Sequence, residues 1–284
     1  MGIVVAVVAQ GKMGAGVGKR LYENGAEVRT LLSGRSTASA ERAKAAGMTA
    51  VQDERALVDG ADFFLSILPP GEAVALAKRM APALSALIRK PIYVDCNAVS
   101  PQTAQEIAAA IALTGAEFVD GGIIGGPPRE GYSPGIYAAG PAVAKTTVIR
   151  DYGIDWRAID GPVGAASGLK MSYAGITKGT TAIAAAMLLG AARFGCGEAL
   201  MTELAASQPE MLKRMRSSIP GMYDKAYRWV GEMEEISDFL GASPPSRDLY
   251  AAIARLYTDL AAAEEAKGQD GDNAIRSLDK VLGR

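Results

Sequence analysis

The chain has no histidine among its 284 residues. That absence excludes every hydrolase or dehydrogenase scheme resting on an imidazole base, and with only two cysteines it argues against a catalytic zinc site. Two cysteines, Cys96 and Cys196, make no disulfide framework either. Charge of one sign is not in excess: 30 Lys and Arg face 31 Asp and Glu, and no basic run leaves a footprint for nucleic acid. Long hydrophobic runs are wanting, because Lys, Glu, Gly or Pro interrupts each one before it reaches a membrane span. No charged leader or small-residue cleavage site accompanies the N-terminal apolar run. These absences describe a soluble, cytoplasmic protein with neither nucleic-acid nor membrane partners. Proton transfer in such a chain falls to Lys, Tyr, Asp, Glu, Cys or water.

Nearly half of the residues are hydrophobic, enough for a substantial core in two domains or one large α/β unit. Residues 3–9, "IVVAVVA", form a continuous β-branched run of the kind a buried parallel strand requires. "QGKMGAGVGKRLYENG" follows as a glycine turn and a helix, and "AEVRTLLSG" as a second strand. Strand, turn, helix and strand within about thirty residues make a βαβ unit. Its turn is G-x-G-x-x-G with Ala9 in the first position. Gly11 lets the backbone approach a pyrophosphate, Gly14 lets helix and strand pack closely, and the amides of Lys12 and Met13 open the helix towards the phosphates. The second strand ends in Ser33, Arg35 and Ser36, followed by Thr37, where an acid would bind the ribose hydroxyls of NAD. A cation with hydroxyls suits a 2′-phosphate, so NADP is the expected cofactor, with NAD possible.

The alternation continues through "DFFLSILPP" and "PIYVDCNAVSP", strands whose ends bring Leu68, Pro69 and Asn97 to the cofactor crevice. Ser100 and Pro101 read as N-cap and first residue of the next helix. "AEFVDGGIIGGPPREG" and "GIYAAG" supply two more strands. Beyond residue 163 the chain turns Ala-rich and helical, nearly unbroken from Gly164 to about Ala206. Glycines at 168, 175, 179, 190, 195 and 197 imply close helix–helix approaches or breaks. The expected fold is α/β: a Rossmann domain over 1–163 joined by a long helix to an all-α domain over 164–284 for substrate binding and dimerisation.

The glycine turn, "SILPPGEAV", "VDCNAVSPQTAQEI", "DGGIIGG", "GIYAAG" and "GPVGAASGLKMSY", in this order over nearly the whole chain, resemble the β-hydroxyacid dehydrogenase family, relatives of 6-phosphogluconate dehydrogenase. A long helix leaving a Rossmann domain into a helical one suits a homodimer, and the resemblance implies a cofactor on the N-terminal domain. It makes Lys170 the general acid/base that removes or returns the hydroxyl proton during hydride transfer. Burial and nearby positive charge favour such a role by weakening an ammonium's hold on its proton. It also implies that Gly122, Ile123 and Ile124 lie where the family grips its substrate.

The chain departs from this pattern. The asparagine due four residues after the lysine is Ala174. Tyr173, at i+3 on the same helix face, is the second catalytic candidate. Ile124 replaces a carboxylate-holding serine, and Glu234 stands where the C-terminal domain usually has a lysine. These losses point to a small-molecule substrate bulkier or less acidic than a plain β-hydroxy acid. Tyr223 and Trp229, with Tyr132, Tyr227 and Tyr250, are candidates for an aromatic wall. Imine reductases share this architecture but usually carry Asp or Tyr at the lysine position, so C=N reduction is the alternative. A non-catalytic dinucleotide sensor is a further one. Short-chain dehydrogenases are excluded, since no tyrosine has a lysine four residues on.

Overall fold

The computed structural model describes residues 2–266 and 273–284. The chain divides into two compact units, Met1–Met171 and Ser172–Arg284. The first is built on an eight-stranded sheet. Its elements are β1 (Val4–Val8), α1 (Lys12–Glu23), β2 (Glu27–Leu31), α2 (Thr37–Ala45), β3 (Thr49–Val51), α3 (Glu54–Val58), β4 (Phe63–Ser66), α4 (Ala73–Ser85), β5 (Ile92–Asp95), α5 (Pro101–Ala112), β6 (Phe118–Ile124), β7 (Gly135–Ala139) and β8 (Trp156–Ala158). The strand order is β3-β2-β1-β4-β5-β6-β7-β8. Every pairing is parallel except β6 with β7. The order reverses between β1 and β4, which opens a crevice at the C-terminal ends of those strands.

β1 shows why these strands read as continuous apolar runs. Val5 and Val7 enter one buried cluster, with Leu21, Val28 and Trp156, while Ala6 and Val8 enter another, with Leu84 and Ile107. Side chains alternate across the sheet, and helices cover both faces, so neither set tolerates polarity. On the second face Phe64, Tyr93 and Phe118 stack across β4, β5 and β6, with ring centroids 4.7 and 6.0 Å apart.

α6 (Ala165–Arg193) begins in the first unit and ends in the second. α7 (Gly197–Ser207), α8 (Pro209–Ser218), α9 (Ala226–Phe239), α10 (Pro244–Glu265) and α11 (Ala274–Leu282) complete the helical unit. Its glycines serve both expected purposes. Gly195, with φ of 69°, lies in the break after α6. Gly175 and Gly179 face the Tyr250 hydroxyl, which added methyl groups would meet at 3.1 and 3.0 Å. Lys178 and Glu232 form an ion pair with little solvent access, and the Lys178 ammonium lies 4.9 Å from the Trp229 ring centre.

Three expectations need correction. The helical run to Ala206 is broken between Arg193 and Gly197. The short edge strands β3 and β8 and the helices α2 and α3 did not announce themselves, because three- to nine-residue elements carry too little periodicity. α6 is also long and apolar enough to cross a membrane, with mean hydropathy 1.2 over its best window, since two lysines do not outweigh its Ala and Leu content; 44% of that window is buried within the protein.

Candidate active site

The crevice is assembled from strand ends. Gly11 is the N-cap of α1, and an added methyl there would meet nothing within 4 Å, which leaves open room beside the first amides of the helix. These amides have no partner within the helix. Gly14 is buried, and a methyl on it would stand 1.8 Å from the Ala9 carbonyl oxygen. An open cap followed by an obligatory glycine fits a pyrophosphate approaching the helix start. Lys12 is exposed, and Met13 packs partly against the core. Buried Gln10 secures the turn by donating to Thr30 Oγ1 and to the Leu31 carbonyl at 3.2 Å.

At the end of β2, Ser33 is exposed and Ser36 caps α2, accepting from the Ser39 amide at 3.3 Å. Arg35 is half-buried in the turn between them. Arg42, one helix face away in sequence and not anticipated, donates to the Gln10 carbonyl at 2.9 Å and to Ser39 Oγ at 3.0 Å. It ties the glycine turn to the segment carrying Arg35 and Ser36. These residues lie beside the glycine turn that a dinucleotide uses.

The middle of the crevice is polar and rigid. Asn97 Oδ1 accepts from the Leu68 amide at 2.6 Å, while its Nδ2 donates to Ser66 Oγ at 2.7 Å and to Asp95 Oδ1 at 2.5 Å. Asn97 therefore fixes the backbone beside the exposed Pro69. β5 and β6 place Asp95 directly beside Asp120. Asp120 Oδ2 accepts from the amides of Gly164, Ala166 and Ser167 at 2.9 to 3.0 Å, and Oδ1 accepts from Ser167 Oγ at 2.6 Å. A carboxyl from the sheet thus caps α6 one turn before Lys170. Burial raises the Asp120 carboxyl, opposed by these hydrogen bonds. Asp95 is pushed up to about 7, first by burial. Desolvation raises the buried Cys96 thiol as well.

Gly122 and Ile123 are buried on β6, and Ile124 is half-buried at its end. A methyl on Gly122 would lie 2.8 Å from the Ala166 carbonyl oxygen and 3.1 Å from Lys170 Cβ. Lys170 is half-buried, and its ammonium has no hydrogen-bond or ion-pair partner among the described residues. The first unit therefore gathers Gly11, Gly14, Leu68, Asn97, Gly122 and Lys170 along one sheet edge.

Tyr132 lies in the loop after β6, its hydroxyl accepting from the Gly126 amide at 3.2 Å. In the helical unit Tyr173 is half exposed, Ala174 is buried and Glu234 is exposed. Tyr223 donates to Asp279 at 3.0 Å. Trp229 packs edge-on against Tyr257, whose hydroxyl donates to the Lys178 carbonyl at 2.7 Å. Tyr227 is exposed. Within that unit Tyr223, Trp229 and Tyr250 have different partners among the described contacts.

The sequence reading overlooked Gln10, Arg42, Asp95 and Asp120. A signal for the two acids was present: "VDC" and "FVDGG" place a carboxylate within an otherwise apolar strand.

Comparison with known proteins agrees with the fold of the first unit. A curated relative from Methanothermus fervidus, an uncharacterized 28.5 kDa protein encoded in the 7S RNA 5′ region, is 28% identical over 78% of this chain and 84% of its own. A conserved protein of unknown function, described as structurally similar to 3-hydroxyacid dehydrogenases, superposes with a TM-score of 0.71 at 27% identity over 95% of this chain and all of its own. The Mycobacterium tuberculosis 3-hydroxyisobutyrate dehydrogenase, solved with L-serine, shares the fold with a TM-score of 0.74 at 17% identity over 99% of both chains. Residues 191–260 match a domain of unknown function. Residues 4–148 match the NAD-binding domain of 6-phosphogluconate dehydrogenase, and the chain belongs to that family.

Proposed function

We propose that the protein is a soluble, cytoplasmic, NADP-dependent oxidoreductase acting on a secondary alcohol or its ketone, with Lys170 as general acid/base. The observation that carries this reading is the uncommitted ammonium of Lys170, held against Gly122 by a helix capped from the sheet, in a chain without histidine. When bound, the nicotinamide cofactor would supply the hydride in reduction and accept it in oxidation. Lys170 returns a proton to the carbonyl oxygen in reduction and takes it from the hydroxyl in oxidation. Asn97 holds the Leu68 backbone at the crevice, and the Gly11–Gly14 turn receives the pyrophosphate. Arg35, Ser36 and Ser33, braced through Arg42, favour a 2′-phosphate. Ile124, where the family places a serine, removes a hydroxyl for gripping a carboxylate, so the substrate is bulkier or less acidic than a small β-hydroxy acid.

The test is NADPH oxidation with a panel of ketones, β-keto acids and cyclic imines, alongside NADP reduction with 3-hydroxyisobutyrate. Turnover of uncharged ketones above the others supports the reading. Preference for 3-hydroxyisobutyrate overturns the substrate class, and preference for cyclic imines overturns the reaction.

The working form is a homodimer. Tyr173, Ile176, Ile183 and Met187 are exposed, and together with Thr180 and Gly190 they follow alternating steps of three and four along α6, continued by exposed Phe194 just past its end. That spacing is the seam of paired helices, and a second copy supplies the same seam.

A further inference from the structure

Asp95 and Asp120 are both fully buried and sit side by side in the parallel register of β5 and β6. Their surroundings differ. Asp120 uses both oxygens to accept from three amides and a hydroxyl at the positive end of α6. Asp95 accepts from Asn97 on Oδ1, with Ser66 and the Asn97 backbone close enough to lower it electrostatically, while its Oδ2 meets no hydrogen-bond geometry among the described residues. The groups facing Asp95 are Ser66 from β4, Tyr93, Cys96 and Asn97 from its own strand and its continuation, and Asp120 from β6. Arg79 of α4 acts on Tyr93. A bare ionised oxygen buried there costs far more than a neutral carboxyl with the same missing partner.

We propose that the two acids divide their roles: Asp120 is the ionised anchor that positions Lys170 by holding the first turn of α6, and Asp95 is its proton-bearing neighbour, kept neutral so that the anchor holds. Burial first, and the Asp120 charge to a smaller extent, raise Asp95 to about 7 against the opposing hydrogen bonds of Ser66 and Asn97, which agrees with this division. Ionisation of Asp95 sets a second buried charge beside the anchor, so the start of α6 loosens as pH rises above neutrality. Two carboxyls in unlike environments separate their protonation states in this way. Asp120 is a positioning residue, since it reaches the reacting atoms only through Lys170, and that part rests on the proposed role of Lys170.

The test uses the full chain and three variants. Asp95→Asn imitates the neutral acid, Asp120→Asn removes the anchor's charge, and Ser167→Ala removes a single bond to it as a milder change. Infrared spectroscopy at neutral pH reads the carbonyl band of a protonated carboxyl, expected in the wild type and in S167A and absent from D95N. Amide hydrogen exchange over residues 164–171 reads the helix start. It should be unchanged in D95N and faster by about tenfold or more in D120N, with S167A between. In the wild type the protection of these amides relative to their intrinsic exchange rate should fall above neutral pH, and in D95N it should not. NADPH affinity should stay within about twofold in S167A, while kcat on any substrate found falls and KM holds. The proposal is overturned if D95N keeps the band, or if S167A and a folded D120N both keep wild-type exchange at α6. If no substrate is turned over, the proposed reaction fails, while the band and exchange results still decide the roles of the two acids.

Discussion

Gly122 and Lys170 stand in contact across β6 and α6: a methyl on Gly122 would come within 3.1 Å of Lys170 Cβ and 2.8 Å of the Ala166 carbonyl oxygen. The backbone oxygen cannot move aside as a flexible side chain would, so Gly122→Ala displaces the turn carrying the lysine. The overpacking costs about 1–3 kcal/mol. The expected outcome is a kcat lower by about tenfold or more with NADPH affinity unchanged, since the glycine turn of α1 is untouched. Cofactor fluorescence titration beside steady-state kinetics checks both halves.

Lys170→Met keeps the aliphatic stem and removes the ammonium. Removing a general acid/base lowers kcat by roughly 10²–10⁴-fold. NADPH should bind as in the wild type, and the protein should be no less stable, because among the described residues the ammonium has no polar partner to abandon. A rate within about threefold of the wild type would assign the proton transfer to another group.

How much of this was legible in the sequence depended on the range of the signal. The glycine turn declared itself because a short turn, a β-branched strand and an amphipathic helix are contiguous in the chain. Lys170 and Gly122 were visible as members of motifs, but their contact was not, since 48 residues of chain separate them and pairing depends on tertiary packing. Arg42 was lost among the polar residues of a short helix, where nothing local shows that it reaches back to the Gln10 carbonyl. Asp95 and Asp120 left a mark, an acid inside an apolar run, whose meaning appeared only when strand register set them beside each other. The role of the aromatic residues was not legible, because aromatic spacing on a helix does not distinguish a pocket wall from Trp229 packing on Tyr257.

Arg35→Ala should discriminate between the cofactors. A charge-assisted hydrogen bond to a phosphate contributes about 1.5–3 kcal/mol, so NADPH affinity should fall by roughly ten- to a hundredfold while NADH affinity barely changes. Arg42→Ala should weaken both cofactors, because it releases the Gln10 carbonyl at the turn that every dinucleotide uses. Competitive titrations of the two nicotinamides on each variant separate these outcomes.

The exposed seam of α6 predicts association between copies. Ile183 and Met187 occupy consecutive seam positions one turn apart, and both are more than half exposed on the single chain. Ile183→Asp with Met187→Asp places charges where two copies would meet, which should shift the species seen by sedimentation velocity from dimer to monomer. A wild-type protein that sediments as a monomer at micromolar concentration would sink the dimer reading.

Asp95 makes stability depend on pH in a direction that can be worked out. Its carboxyl titrates near 3.8 when unperturbed and near 7 in the folded protein, so between these values the native state holds more of this proton than the unfolded state does. Stability rises with pH only where the unfolded state binds more protons; here the reverse holds. The Asp95 contribution is therefore fully favourable below about pH 4, declines as pH rises towards 7 and is level above that. The decline amounts to a few kcal/mol at about 1.4 kcal/mol per pKa unit. Asp95→Asn cannot ionise, so the stability difference between variant and wild type should grow in favour of the variant across this window and stay constant beyond it. Urea denaturation midpoints measured from pH 4 to 8 follow that difference, and parallel curves for the two proteins would show that Asp95 carries no such linkage.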